Sequence, residues 1–137
     1  MSYSRIFPGW NEQVGQARRW VEHLLSLHTA FEIPDDTIAA TVLLVSEATT
    51  NALAHTASGR GGVFIVGLEV DRGRITVDVD DEGKADAVPF LRPNTPMTEG
   101  GRGIALIDHF AQSWRPLLAP RSGVSFTLLF PANATAS

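Results

Sequence analysis

Three residues with chemically useful side chains recur at intervals of four near the middle of the chain. They are Glu47, Asn51 and His55, and residues four apart on an α-helix share one face. A carboxylate one turn from a carboxamide can orient or deprotonate a nucleophile and can give a neutral oxygen ligand to a hard cation. The same pairing is common on solvated helix surfaces, so it defines a site only together with other residues. We expect His55 to cap or pack against the helix end rather than to act in a site.

These residues belong to a predicted helix whose other side is apolar. Its apolar residues recur at spacings of four, three and seven, which is typical of a face packed on a core. They are Ile38, Val42, Val45 and Ala52. Asp35 or Asp36 can begin the helix and complement its dipole. The glycine-rich residues 58–62 predict that the helix ends near Ala57.

A second candidate is a carboxylate at the end of a predicted strand. Ile75, Val77 and Val79 alternate with polar residues, and side chains two apart on a strand share a face. The alternation therefore places Asp81 on the apolar side of the sheet. A charge in that position needs a partner or a ligand to offset the loss of water.

A third candidate is a glycine-rich segment that precedes a short predicted helix. Residues 84–103 contain three prolines and three glycines and show no periodicity, and loops longer than about 12 to 15 residues in a compact domain are usually functional or disordered. Residues 104–110 then form the predicted helix. Its first backbone N–H groups can bind an anion, and glycine permits close approach, so Gly101, Arg102 and Gly103 are a candidate phosphate site.

The remaining elements complete an α+β fold. A first helix is predicted at residues 11–28, and the strands are predicted at residues 3–7, 63–70, 75–81, 113–118 and 124–130. Residues 71–74 form a short hairpin connection between the second and third strands. This order predicts a two-layer sandwich, in which one mixed but mostly antiparallel sheet carries its helices on a single face. The three candidate sites would then line one pocket.

The composition of the chain limits the classes of protein to which it can belong. The 137 residues, 44% of them hydrophobic, suit one domain at residues 1–137. No run approaches the roughly 20 apolar residues of a membrane span, and no signal-peptide core follows the first residues, so we expect a cytoplasmic protein that does not bind a membrane. The lack of cysteine excludes disulfides and thiolate zinc sites. A net charge of −4 with scattered arginines does not support nucleic-acid binding.

Two common nucleotide-binding motifs do not occur. There is no Gly-x4-Gly-Lys-Ser/Thr sequence, which excludes the usual P-loop, and Leu106 stands where a dinucleotide fingerprint needs a third glycine. The histidines show no paired ligand spacing, so we expect no zinc site.

The three candidate sites together resemble the conserved boxes of one ATPase superfamily. Glu47-x-x-x-Asn51, then Asp81-Glu82-Gly83, then Gly101-Arg102-Gly103-Ile104-Ala105-Leu106 are similar to the N, first-glycine and second-glycine boxes shared by gyrase, sensor histidine kinases and heat-shock chaperones. The match covers most of the chain. It implies the histidine-kinase-like ATPase fold.

Within that superfamily, the chain looks like the stand-alone bacterial anti-sigma factor serine/threonine kinases. Three segments carry this likeness: Phe7-Pro8-Gly9, Ala17-Arg18-Arg19-Trp20-Val21 and Gly123-Val124-Ser125-Phe126. Such proteins bind a sigma factor and phosphorylate a serine or threonine of an anti-anti-sigma factor. The first helix, with its apolar face and Trp20, could serve a homodimer or a partner protein.

The resemblance implies a role for each site residue. Asn51 would coordinate the Mg²⁺ that bridges the phosphates of ATP, and Glu47 would act as the general base. Asp81 would accept a hydrogen bond from the exocyclic amine of adenine, and Gly83 would let the base lie against the backbone. Ser125 falls where the family often has a threonine near adenine. The phosphates would be held by Gly101, Arg102, Gly103 and Ile104.

One departure from the family leaves an alternative open. The fuller first-glycine pattern has a second glycine where this chain has Ala85, which would stiffen the lid hinge. The leading hypothesis is a regulatory kinase that uses ATP and Mg²⁺. The alternative is a non-catalytic nucleotide-binding or partner-binding module of the same fold. A severed sensor-kinase catalytic domain is disfavoured, because we find no preceding dimerisation helix with a phosphoacceptor histidine.

Overall fold

A computed structural model describes residues 1–27, 30–55, 62–81 and 111–132 of the chain. The elements run in chain order as β1 (Ser2–Pro8), α1 (Glu12–Leu27), α2 (Asp35–His55), β2 (Val63–Asp71), β3 (Arg74–Asp81), β4 (Ser113–Pro116) and β5 (Ser122–Leu129). All seven were predicted from the sequence, with ends that differ by a few residues. The predicted loop at residues 84–103, the predicted helix at residues 104–110 and the predicted end of α2 at Ala57 lie outside the described residues.

The five strands form one sheet in the order β1-β2-β3-β5-β4. Every neighbouring pair in it is antiparallel. The sheet and the two described helices form the α+β arrangement that the sequence predicts. Because β2 begins, β3 ends and β5 begins at the same end of the sheet, residues from distant parts of the chain meet there.

One face of the sheet and the two helices enclose the core. The buried apolar residues alternate along β2, β3 and β5, as expected when one face of the sheet packs on the core. They are Phe64, Val66, Leu68, Val70, Ile75, Val77, Val79, Val124, Phe126 and Leu128. Helix α2 packs against β3 and β5, whereas α1 packs against α2 and β1. Helix α2 therefore lies on the side of the sheet that the buried residues of β3 face.

The buried stripe of α2 differs slightly from the predicted one. Ile38, Val45 and Ala52 are buried as predicted, but Val42 is only half-buried. Leu44 and Ala48 are fully buried instead. The core stripe runs at spacings of three and four through residues 38, 41, 45, 48 and 52, so Val42 lies at its margin.

Helix α2 is unusually apolar. By length and composition, residues 35–54 could cross a membrane, with a mean hydropathy of 1.3. Part of that segment, 44%, is buried inside the fold. Packing of α2 against the sheet accounts for this composition.

The β2–β3 hairpin confirms the predicted connection. The two strands end and begin at Asp71 and Arg74, and Gly73 between them has a φ of +78°. This left-handed conformation favours glycine, because it has no Cβ to clash. A Cβ at this position would also lie 3.1 Å from the Cβ of Ala132.

Candidate functional site

The helix side of the candidate site is built by α2. Glu47 is half-buried, and Asn51, one turn further along the same helix, is buried with only 3% of its surface exposed. The predicted one-turn spacing of the two residues is therefore confirmed. A buried carboxamide is tolerated only when its polar atoms have partners, and Asn51 does make polar contacts in the fold.

A neighbouring polar residue on α2 is satisfied within the helix. The Thr49 hydroxyl is buried and donates a hydrogen bond to the Val45 carbonyl oxygen over 2.8 Å. This bond removes the cost of burying the hydroxyl. Thr49 is therefore explained by helix packing, whereas Asn51 and Glu47 have side chains suited to a ligand.

The sheet side of the site is Asp81, the last residue of β3. It lies on the helix-facing side of the sheet, as the alternation predicted, and is only 6% exposed. Its Oδ2 atom is buried and accepts no hydrogen bond within the described ranges, although the residue makes another interaction. A carboxylate oxygen in this setting is a ready acceptor for a donor on a ligand.

An aromatic group borders Asp81 on one side. The register places Phe64 of β2 directly opposite Asp81, and the Phe64 ring stacks on Phe7 of β1 at a centroid distance of 5.2 Å. Trp20 of α1 meets Phe7 edge to face at 5.9 Å, and the Arg5 guanidinium lies 4.9 Å from the centre of the same ring. Aromatic packing of this kind gives Asp81 an apolar wall. The sequence analysis missed it, since strand register cannot be read from one strand alone.

The opposite side of β3 is held by an arginine. Arg121, in the turn before β5, donates from Nε to Oδ2 of Asp80 over 3.0 Å and from Nη2 to Oδ2 of Asp78 over 3.2 Å. These hydrogen bonds raise the pKa of Arg121 above its ordinary value, and the bond to Asp80 has the largest effect. The arginine thus joins the start of β5 to the end of β3 on the outer face. Sequence reasoning did not identify this contact.

A glycine allows the same two strands to approach closely. Gly123 has a φ of +130°, and a Cβ there would lie 1.9 Å from the carbonyl oxygen of Val79. No side chain fits at that distance, so glycine is required at this position. Its neighbour Ser122 is then paired directly opposite Asp81.

Ser125 does not lie with the other site residues. It is buried, but the register pairs it with Asp78, on the face of the sheet away from the helices. The two-residue period of a strand turns Ser125 away from the side that holds Asp81. The place of Ser125 near the base stays a prediction from the family resemblance.

Several predicted site residues lie outside the described residues. These are Gly83, Gly101, Arg102, Gly103 and Ile104, together with the side chain of His55. Among the residues that the structure describes, no group of three or more His, Asp or Glu side chains could hold a metal ion.

Comparison with known families identifies a family model that matches the chain. The histidine kinase-like ATPase domain matches residues 7–116, which is most of the chain. The chain therefore belongs to the histidine kinase-like ATPase family. No curated protein sequence matches it.

Family membership implies that the domain binds ATP. The described residues fit such a ligand. Asp81 offers a buried acceptor at the end of the central strand β3, and Asn51 offers a neutral oxygen in the helix layer, on α2. Glu47 supplies a partly exposed carboxylate on the same helix.

Proposed function

We propose that this chain is an ATP-dependent regulatory kinase. The observation that supports this proposal best is the burial of Asn51 and Asp81 on the two layers of one helix–sheet interface, within the segment that matches the ATPase family. Side chains of these two types, one on each layer, are suited to hold one polar ligand between the layers.

We assign each site residue a separate role in phosphoryl transfer. Asp81 binds the adenine amine, and Asn51 would hold Mg²⁺ beside the phosphates. When bound, the cation neutralises charge on the transferred phosphoryl group. Glu47 accepts the proton of an attacking serine hydroxyl while the oxygen bonds to the γ-phosphorus and ADP leaves. Its partial exposure leaves Glu47 accessible to a protein substrate.

The proposed substrate is a serine or threonine of an anti-anti-sigma factor, and the proposed target of regulation is a sigma factor. These proposals rest on the resemblance carried by residues 7–9, 17–21 and 123–126. The fold we describe is compatible with a cytoplasmic regulator.

A homodimer remains part of the proposal, but its surface differs from the one expected. Ala17, Val21 and Leu25, the apolar face of α1, are buried in the core, and Trp20 packs on Phe7. That face is therefore not available to a second copy or to a partner protein. A dimer would have to use another surface.

Transfer of radiolabelled phosphate from ATP to a cognate anti-anti-sigma factor tests the kinase proposal. We expect transfer by the unaltered protein and a loss of about a hundredfold or more in Glu47→Gln, because a general base contributes roughly this factor. ATP affinity should be unchanged in the same variant. A loss of phosphate transfer without a loss of ATP affinity would distinguish a catalytic role for Glu47 from a binding role.

The second candidate function is a non-catalytic module that uses ATP only to set its shape. Ala85, in place of the second glycine of the family pattern, favours this candidate. ATP binding without any phosphoryl transfer, in protein that still binds the sigma factor, would support it and overturn the kinase proposal.

A further inference from the structure

The strand β1 forms one edge of the sheet, and this edge is regular. Among the strands that the structure describes, β1 pairs only with β2, and its seven residues pair without a bulge. Natural proteins often protect an edge strand by making it short or by placing proline in it. The other edge strand, β4, follows this rule, since it has four residues and ends at Pro116. In β1 the only proline is the last residue, Pro8, so the strand before it can accept another strand.

The backbone hydrogen bonds of β1 show which of its groups point to the open side. Met1 and Val70 exchange two bonds, of 2.9 Å and 2.8 Å, and at the other end of the pairing the Gly9 N–H donates to the Gly62 carbonyl oxygen over 2.8 Å. Hydrogen-bonded and non-hydrogen-bonded positions alternate along an antiparallel pair. The odd-numbered residues of β1 therefore bond to β2, and the even-numbered residues direct N–H and C=O away from it. These are Ser2, Ser4 and Ile6.

We propose that the open edge of β1 is a homodimer interface, on which β1 of a second copy pairs antiparallel with Ser4 opposite Ser4 across a two-fold axis. In this register Ser2 pairs with Ile6 of the second copy, so every outward N–H meets a carbonyl oxygen. A two-fold axis makes such a surface self-complementary. The dimer joins the two sheets edge to edge. It gives the homodimer of the proposed function a surface other than the apolar face of α1, and it does not depend on the ATP site.

The side chains of β1 favour this register over its neighbours. Arg5 is exposed and lies opposite Tyr3 of the second copy, whose ring adds a second aromatic contact to the one that Arg5 makes with Phe7 at 4.9 Å. Placing Ser4 opposite Ile6 instead brings Arg5 opposite Arg5, and like charges directly opposite are destabilising. Placing Ile6 opposite Ile6 brings Ser4 opposite Pro8, which has no N–H to donate. Charge and hydrogen bonding therefore select the same register.

Single cysteines can report this register, because the chain contains no cysteine of its own. We expect Ser4→Cys to be joined into a covalent dimer by a thiol-to-thiol crosslinker that spans one strand spacing, about 5 Å. Ser2→Cys is the matched control, since Ser2 is also exposed and lies on the same face of the same strand. In the proposed register its two copies lie roughly 14 Å apart along the strands, which is beyond the reach of the reagent.

Sedimentation equilibrium measures the dissociation constant of the dimer. Ser4→Lys places two ammonium groups directly opposite each other at the axis, so we expect it to weaken dimerisation about fivefold or more. Ser113→Lys adds the same charge at an exposed position of the other edge strand, β4. This variant should dimerise as well as the unaltered protein. Melting curves check that each variant is folded.

Three outcomes would overturn the inference. Unaltered protein that is monomeric at every concentration tested excludes the dimer. A dimer in which Ser4→Cys is crosslinked no better than Ser2→Cys uses another surface or another register. Equal weakening by Ser4→Lys and Ser113→Lys reflects added charge rather than the β1 edge. Calorimetric titration of the same samples with ATP is a separate measurement, so failure of this interface is distinguishable from failure of the proposed ATP site.

Discussion

Gly123 of β5 lies so close to Val79 of β3 that a Cβ on the glycine would be 1.9 Å from the valine carbonyl oxygen. The contact lies at the end of the sheet that carries Asp81. The geometry of the candidate site therefore depends on a backbone approach that only glycine allows.

We predict that Gly123→Ala destabilises the protein by about 2 kcal/mol or more, because the backbone must move and the φ of +130° disfavours a side chain. Chemical denaturation measures the change in the free energy of unfolding. Gly67→Ala is the matched control, since its Cβ would be 3.7 Å from the nearest atom. A similar loss in both variants would show that the effect is a general cost of replacing strand glycines.

The assignment of the two sheet faces can be tested on β1. Phe7 is fully buried and stacked on Phe64, whereas its neighbour Ile6 is 61% exposed on the other face. Phe7→Ala should reduce the free energy of unfolding by about 3 to 5 kcal/mol. Ile6→Ala should change it by less than about 1 kcal/mol. The opposite ranking in denaturation experiments would mean that β1 is turned the other way.

The bridge from Arg121 to Asp78 and Asp80 should contribute modestly to stability. Its side chain is about half exposed, at 48%, so solvent screens the attraction and we expect Arg121→Ala to cost only about 1 kcal/mol. The cost should shrink in molar salt. Arg121→Lys should recover part of it, because an ammonium group cannot make both hydrogen bonds in the same planar arrangement. A loss that is unaffected by salt would point to packing rather than charge.

The pH dependence of this bridge follows from the raised pKa of Arg121. A group whose pKa is higher in the folded state contributes stability below its unfolded value, and that contribution is lost as the pH rises through the folded value. Both values lie at strongly alkaline pH. The stability difference between Arg121→Ala and the unaltered protein should therefore show no arginine titration between about pH 6 and 9. Unfolding curves at several pH values in that range check this.

The fold was largely predictable because its signals are local. Alternation along β3 placed Asp81 on the packed face, and the spacing along α2 placed Glu47 and Asn51 one turn apart. Both features depend on the period of a single element. The hairpin at Gly73 was likewise readable from its own residues.

The contacts between distant elements were not predictable in the same way. The stacking of Phe7 on Phe64 and the bridge from Arg121 depend on strand register and on pairs far apart in the chain. Ser125 shows how two kinds of signal can differ. Val124 and Phe126 mark the packed side of β5, so alternation turns Ser125 outward, whereas the family resemblance predicts a place for it near the base.

Calorimetric titration with ATP, in the presence and absence of Mg²⁺, tests the central claim most directly. We predict Mg²⁺-dependent binding by the unaltered protein, and a loss of about tenfold or more in both Asn51→Ala and Asp81→Asn. Binding that is insensitive to both site variants, or no binding by protein that melts cooperatively, would contradict an ATP site between α2 and the end of β3.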